Sequence, residues 1–492
     1  MTDTTHSTSR LETDSLGSCT LAGDVLYGIH TWRALDNFPL SERKIHPVLI
    51  TALAQVKLAA CETNMELNFL SQQKGQAIAN ALKSIIAGEH REAFPVDALQ
   101  GGAGTSANMN MNEVVANLAS LSLGGKVGEY ALVHPLHDVN MHQSTNDVYP
   151  SAVRVAALTL LKELETQLTA LQEGLQAKEE EFRDVIKVGR TQLMDAVPMT
   201  LGMEFGAWAE AVSRDRWRVF KCRERIKQLN LGGTAIGTGL GAPRKYIFRV
   251  TEVLRRITNL PLSRSENLID ATASLDSFAE VAGILQACAS NFLKICSDLR
   301  LLNSGPHTGI GEIQLPARQA GSSIMAGKIN PVIPEAVAQG ALSVQAQCQT
   351  VSLTCGLGQL QINQYLPLLA DNLLHSLTLL VNGSQMLQTK CVAGITACED
   401  RCEDLVGRSR ALATMFVPHL GYDGVQRIMA LAHENGVSVE DVLVEEGVAT
   451  REVLAKMLSP RKMYRLGFDP ADFDELNSLN NSGAAGDDSD GE

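Results

Sequence analysis

Aromatic residues are scarce in this chain of 492 residues: Phe, Trp and Tyr make up 4% against 45% hydrophobic residues in all, so the core must be aliphatic. Period-two runs bounded by turns scarcely occur. That leaves little material for a sheet and points to an all-α fold. Met1 to Leu11 is polar and lacks the apolar segment of a secretory signal. The ten cysteines show no C-x-x-C pair and no Cys/His spacing suited to zinc. A reducing cytoplasm is the expected location, with Cys398 and Cys402, one helical turn apart, as reduced thiols. An excess of basic residues is missing too. Formal net charge is −13, and seven acidic residues follow Ala471, where there is no Lys or Arg. That balance does not suit a nucleic-acid backbone.

Charge itself is missing from two long stretches. Residues 336–370 contain no Asp, Glu, Lys, Arg or His, and residues 278–302 hold four charges in 25 positions. The first run is long enough to span a membrane. However, it carries seven Gln together with Asn363, Gly356, Gly358 and Pro367, a polar load that argues against lipid contact. The preferred reading is a helix at the centre of a bundle, its glutamines hydrogen-bonded to neighbours. One chain has few ways to cover several such helices on all sides. Self-association through them, with an even and closed symmetry, is therefore expected.

What the chain has instead is helical periodicity interrupted by polar loops. Val155, Leu158, Leu161, Leu164, Leu168, Leu171 and Leu175 recur every three or four residues, so 151–186 reads as one long helix. Other helical patterns begin near His46 and run from Gln73 to Ala87, from Glu113 to Leu121 and from about Thr200 to Asn230. The expected organisation is a disordered N-terminus (1–14), a mainly helical domain (15–146), a central bundle of long helices forming the oligomer core (147–398), a small helical domain (399–475) and a disordered acidic tail (476–492). In the small domain Asn435-Gly436 reads as a helix stop, and Ser438 and Thr450 as helix starts. Strands are expected only as short ribbons in the first domain.

Four irregular loops carry the chemistry. They contain Gly104-Thr-Ser-Ala-Asn108, Gln143-Ser-Thr-Asn-Asp147, Gly189-Arg-Thr-Gln192 and Gly321-Ser-Ser-Ile-Met-Ala-Gly-Lys-Ile-Asn-Pro331. Each sets hydroxyls and carboxamides beside glycine or a helix start, where free N–H groups favour anions. Each also has a plain structural reading. Ser144 and Thr145 can cap the helix that follows, Thr191 can be a turn hydroxyl, and Lys328 a solvated surface charge. Asp147 and Asp195 read as structural, and His134, His137 and His142 as ordinary loop histidines, since no spacing fits a metal ligand set.

Read together, the loops decide. G-A-G-T-S-x-N-M-N-x-N-E, N-x-x-Q-S-T-N-D, K-x-G-R-T-Q-L-x-D-A-V-P-x-T-L-G and G-S-S-I-M-A-G-K-I-N-P occur in this order. The set strongly resembles the aspartase/fumarase superfamily from about Gly23 to Pro460. The motif details resemble the aspartase branch: Gly102-Ala-Gly-Thr-Ser106 in place of G-S-G-T-Q, Gln192 where fumarases carry His, and Asn330-Pro-Val-Ile-Pro-Glu335 in place of N-P-T-Q-C-E. Ala326 replaces a Pro common in the signature. The resemblance implies a three-domain, all-α fold with a central bundle of long helices, and a homotetramer whose active sites draw on three subunits. It implies reversible, non-oxidative deamination of L-aspartate to fumarate and ammonia through an enediolate. By the same resemblance Ser322 is the general base. Thr105, Ser144, Thr145 and Ser323 hold the carboxylate beside the acidic carbon, and Lys328, Asn330 and Thr191 hold the other. Asn146, with Gln192, faces the amino group. Fumarate hydration is the nearest alternative, followed by a lyase for a larger succinyl compound and a catalytically silent relative. No cofactor and no catalytic metal are implied, with a divalent cation such as Mg2+ at most an activator. Physical chemistry alone selects His or Glu as the base, because a serine hydroxyl is a poor one. Ser322 would need backbone N–H groups or Lys328 to stabilise its oxyanion. The glycines at 309, 311, 321 and 327 flank this stretch as hinges of a lid.

Overall fold

The computed structural model describes residues 9–465 and 467–476. Residues 1–8 of the expected disordered N-terminus, and almost all of the expected acidic tail, lie outside the described residues. The fold is all-α, with 63% of residues helical and few short strands. In chain order the helices are α1 (Ile29–Asn37), α2 (Pro47–Glu66), α3 (Gln72–Ile86), α4 (Thr105–Ser122), α5 (Thr145–Glu181), α6 (Leu201–Ile226), α7 (Arg244–Thr258), α8 (Leu268–Ala273), α9 (Asp276–Leu302), α10 (Val332–Cys355) and α11 (Leu366–Lys390). Beyond these come α12 (Glu399–Arg408), α13 (Val417–Asn435), α14 (Val439–Glu445), α15 (Arg451–Met457) and α16 (Pro460–Met463).

The chain divides into two compact units, each assembled from separate segments. The first takes residues up to Leu168, Arg214–Asn291 and Gln339–Gly383; the second takes Thr169–Ser213, Phe292–Ala338 and residues from Ser384 on. Within the first unit the uncharged helices are joined as their glutamines suggest. Gln345 on α10 exchanges two hydrogen bonds with Gln286 on α9, at 2.9 and 3.2 Å. Ser376 on α11 donates to Gln347 at 3.0 Å. Such pairing satisfies amides that would otherwise be costly inside an aliphatic bundle. The second unit contains the small helical cluster. Ser438 and Thr450 cap α14 and α15 through the N–H groups of Asp441 and Val453, and Gly436 ends α13 at φ 67°.

Several expectations need correction. Residues 9–14 are not disordered: Ser9–Asp14 is strand β1, paired antiparallel with β2 (Gly17–Ala22). The third polar loop is a hairpin, β3 (Ile186–Thr191) with β4 (Met194–Thr200), so ribbons are not confined to the first domain. Its register shifts at Gly189, where a Cβ would lie 2.7 Å from the Val197 carbonyl, and such a bulge hides the period-two pattern from sequence. The long helix starts at Thr145 and stops at Glu181, and the uncharged run 336–370 is two helices with a break between Cys355 and Leu366. Helix α10 is not enclosed on all sides. Val337, Ala341, Val344, Cys348 and Val351 are buried, while Ala336, Gln339, Leu342, Ala346, Gln349 and Leu353 form a more open, uncharged stripe. No described helix is long and apolar enough to cross a membrane.

Candidate active site

In the first unit the site is built on two helix starts. Gly102, Ala103 and Gly104 hold positive φ of 83°, 55° and 96°, which turns the chain into α4. A Cβ on Gly104 would lie 2.5 Å from the Tyr149 ring, so only glycine fits there. Thr105 then opens α4, its hydroxyl donating to the Gly102 carbonyl at 2.6 Å. At the start of α5, Ser144 Oγ accepts the Asn146 N–H at 3.2 Å, and the Asn146 amide donates to the Ala235 carbonyl at 2.8 Å. Asn108 Nδ2 donates to Thr145 Oγ1 at 3.0 Å and so ties the first turn of α4 to the first turn of α5. Two helix amino ends meet at Thr105, Ser144 and Thr145. Most of the N–H groups at these starts are already engaged, Thr105 with the Gly102 carbonyl, Ala107 with Gln100 Oε1 and Ser144 with Asp147, so the feature that favours a carboxylate there is the pair of positive dipole ends.

Beneath this turn lies a polar layer that the residue patterns missed. Lys57 of α2 is 1% exposed. Its ammonium donates to Asn140 Oδ1 at 3.1 Å and to Gln143 Oε1 at 3.0 Å. Asn108 and Asn112 donate to the same Asn140 oxygen at 3.3 and 3.2 Å. Burial pushes the Lys57 ammonium down to about 7, against a smaller pull from Asp147. Asp147 is fully buried and accepts the N–H groups of Ser144, Gly232 and Thr234 at 2.9, 3.0 and 3.1 Å. Burial lifts its carboxyl to about 6, although those three bonds and Lys57 pull it down. The signal for Lys57 was available: it is the one charge in the stretch Pro47–Cys61.

In the second unit the hairpin presents Thr191 and Gln192. Gln192 and Leu193 both hold positive φ, 53° and 65°, the geometry of a tight two-residue turn. Without glycine this conformation is uncommon, and such strain collects at functional positions. Nothing in the local sequence announced it. The hairpin is anchored by a buried ion cluster: Lys187 lies 2.6 Å from Glu204 and 2.9 Å from Glu312, and Arg190 lies 2.8 Å from Glu312. Asp195 is structural, accepting the Ser409 hydroxyl at 3.1 Å.

The Gly321–Pro331 stretch is closed on itself at its base. The Gly321 N–H donates to the Lys328 carbonyl at 2.8 Å, and Asn330 Nδ2 donates to the Gly321 carbonyl at 2.6 Å. Inside the loop, Ser322 Oγ accepts the backbone N–H of Ile324 at 3.2 Å and of Met325 at 2.9 Å. Ser323 and Lys328 are exposed. Of the residues singled out by sequence, Thr105, Ser144, Thr145 and Asn146 thus lie in the first unit. Thr191, Gln192, Ser322, Ser323, Lys328 and Asn330 lie in the second. Asn330 braces the loop in this conformation. The loop histidines are likewise engaged locally: His134 Nδ1 accepts the N–H groups of Leu136 and His137, and His142 Nδ1 lies 2.8 Å from Asn64 Oδ1. Among the described residues no group of three His, Cys, Asp or Glu is placed to hold a metal ion.

A lyase family model matches residues 17–346, and a fumarase C C-terminal model matches residues 412–465. The chain belongs to the aspartase/fumarase superfamily. Within that superfamily it is 46% identical over 457 residues to an aspartate ammonia-lyase of Pseudomonas canavaninivorans, covering 92% of this chain and 96% of the relative. It is 43% identical over 458 residues to the aspartate ammonia-lyase of Bacillus subtilis, covering 93% and 96%. Among solved structures, a fumarate lyase/delta crystallin from Brucella melitensis bound to cobalt superposes with a TM-score of 0.89 at 44% identity, over 93% of this chain and 100% of that one. A class II fumarase from Schistosoma mansoni follows the same superfamily fold, with a TM-score of 0.85 at 30% identity over 93% of this chain and 99% of that one.

Proposed function

We propose that this protein catalyses the reversible, non-oxidative deamination of L-aspartate to fumarate and ammonia. The observation that carries the chemistry is the pair of backbone N–H groups donating to Ser322 Oγ. Two donors aimed at one serine oxygen favour its ionised form, and this supplies what a serine needs to act as a base. Ser322 then removes a proton from the carbon adjacent to the side-chain carboxylate. The C–H electron pair passes into that carboxylate as an enediolate, which Thr105, Ser144, Thr145 and Ser323 stabilise with hydroxyls and with the positive ends of α4 and α5. Collapse of the enediolate forms the double bond and expels ammonia with the C–N electron pair. Lys328, Asn330 and Thr191 hold the second carboxylate, and Asn146 with Gln192 faces the amine. Atoms and charge balance without an organic cofactor, and a divalent cation would act only as an activator.

The reading also includes assembly. The uncharged stripe on α10 repeats at three- and four-residue spacing, as helix-to-helix packing between subunits requires. The dicarboxylate would bind where loops of several subunits of a homotetramer meet, in the reducing cytoplasm. The test follows fumarate absorbance after adding L-aspartate, with L-malate as the control. Fumarate with release of ammonia supports the reading, whereas fumarate from L-malate alone identifies a hydratase instead. Ser322→Ala is expected to lower kcat by about 10²–10⁴-fold with little change in substrate affinity. A variant that keeps most of its turnover removes Ser322 from the role of base.

A further inference from the structure

We infer that Lys57 is a positioning residue for substrate binding: its ammonium, buried under the Gln143–Thr145 turn and held by amide oxygens, supplies the positive charge that readies this turn for one carboxylate of the substrate. The inference rests on the proposed dicarboxylate chemistry and extends it to a residue outside the four loops.

An ammonium taken out of water is expensive unless it is paired and hydrogen-bonded. Among the described residues the hydrogen-bond partners of Lys57 are amide oxygens, Asn140 Oδ1 at 3.1 Å and Gln143 Oε1 at 3.0 Å. A structural role alone would be served as well by a neutral donor. Neighbouring amides are short of donors: the Oδ1 atoms of Asn108 and Asn112 are buried and unpartnered. The charge is, however, well placed for an anion above it. Asn140 and Gln143 flank the turn that presents Ser144 and Thr145, and Asn108 carries the Thr145 hydroxyl. The groups facing Lys57 from α4 and the loop are carboxamides. From α5 the charged group acting on it is Asp147, whose oxygens already accept three backbone N–H groups. A bound carboxylate therefore supplies the compensation that the resting protein lacks.

Binding and ionisation are then linked. Burial lowers Lys57 to about 7, and an incoming carboxylate favours the charged form. Affinity for a dicarboxylate should fall as pH rises above that value, with a limiting slope of about tenfold per pH unit.

The experiment titrates the full-length protein with fumarate by calorimetry between about pH 6 and 9, beside aspartate turnover, for wild type, Lys57→Met, Lys57→Arg and Asn140→Asp. In wild type, Kd should rise through the upper half of that range. Lys57→Met should raise Kd about tenfold or more at the acid end and flatten the pH limb, while kcat at saturation stays within about threefold. Lys57→Arg should recover part of the affinity and no pH limb. Asn140→Asp places a carboxylate on the ammonium; it should weaken binding at the acid end and move the limb upward by about one unit or more. A Lys57→Met enzyme with wild-type Kd and an unchanged limb overturns the inference. Should that variant not fold, an unmoved limb in Asn140→Asp overturns it alone. If wild type neither binds fumarate nor forms it from aspartate, the proposed function fails and not the assignment of Lys57.

Discussion

A methyl group on Gly321 would sit 2.6 Å from the Lys328 carbonyl and 2.8 Å from the Asn330 backbone nitrogen. The requirement there is close approach of two backbone segments, and it keeps the Ser322 donors in line. Gly321→Ala is expected to open the base of the loop and to lower kcat by about 10–100-fold. The loop is exposed, so the melting temperature should stay within about 2 °C; a parallel thermal melt and rate measurement separates the two effects. Gly327 has a different need, a positive φ of 79° with open space around it. Gly309 is packed 2.4 Å from the Ser304 carbonyl at the Cβ position, which suits a fixed corner better than a hinge. Asp147 supplies a pH prediction. Its folded carboxyl is lifted from 3.8 to about 6, so between these values the folded state binds more protons than the unfolded one. Its contribution to stability is therefore full below 3.8 and is lost as pH rises through about 6. Asp147→Asn cannot titrate and should flatten that limb in urea unfolding measured from about pH 4 to 7.

At the scale of elements, buried carboxylates orient parts that sequence periodicity does not place. Glu113, the last residue of the first loop motif, accepts the N–H groups of Gly28, His30 and Thr31 and the Thr31 hydroxyl, and so caps α1 from α4. The hairpin depends in the same way on Glu312, which is fully buried between Lys187 and Arg190. Glu312→Gln leaves two cations facing one amide, and breaking a buried pair costs about 3–5 kcal/mol. A lower denaturant midpoint is the expected outcome, with lost turnover because Thr191 and Gln192 ride on that hairpin. An unchanged midpoint would mean that water or Glu204 compensates the cluster.

At the scale of the whole molecule, one face of α10 remains to be covered. Leu342 and Leu353 are 58% and 65% exposed on a helix without a charged residue after Glu335. If the proposed homotetramer forms through this face, the double variant Leu342→Asp, Leu353→Asp should yield smaller species than the wild type in light scattering and abolish turnover together with assembly. A dispersed variant that stayed fully active would show that one chain suffices for the site.

The helical class, the helical period from Val155 to Leu175 and the four polar motifs were legible in the chain before any fold was known, whereas the break between Cys355 and Leu366 and the hairpin that carries Thr191 were not. The legible features depend on period, composition and local turn chemistry, which neighbouring residues settle among themselves. Ser438 and Thr450 were legible as caps for the same reason, because a cap is a contact over three residues. What the loops rest on could be read only from the folded molecule. The Ser322 bonds to Ile324 and Met325 are as local as a cap, but the positive φ of Gln192, the α4–α5 junction through Asn108 and the buried charges of Lys57 and Glu312 all need a folded chain. The last three join residues tens to more than a hundred positions apart. Contacts of that kind leave no period in the chain: a lone lysine in an apolar helix has the same neighbours in sequence whether it faces water or lies beneath a binding site.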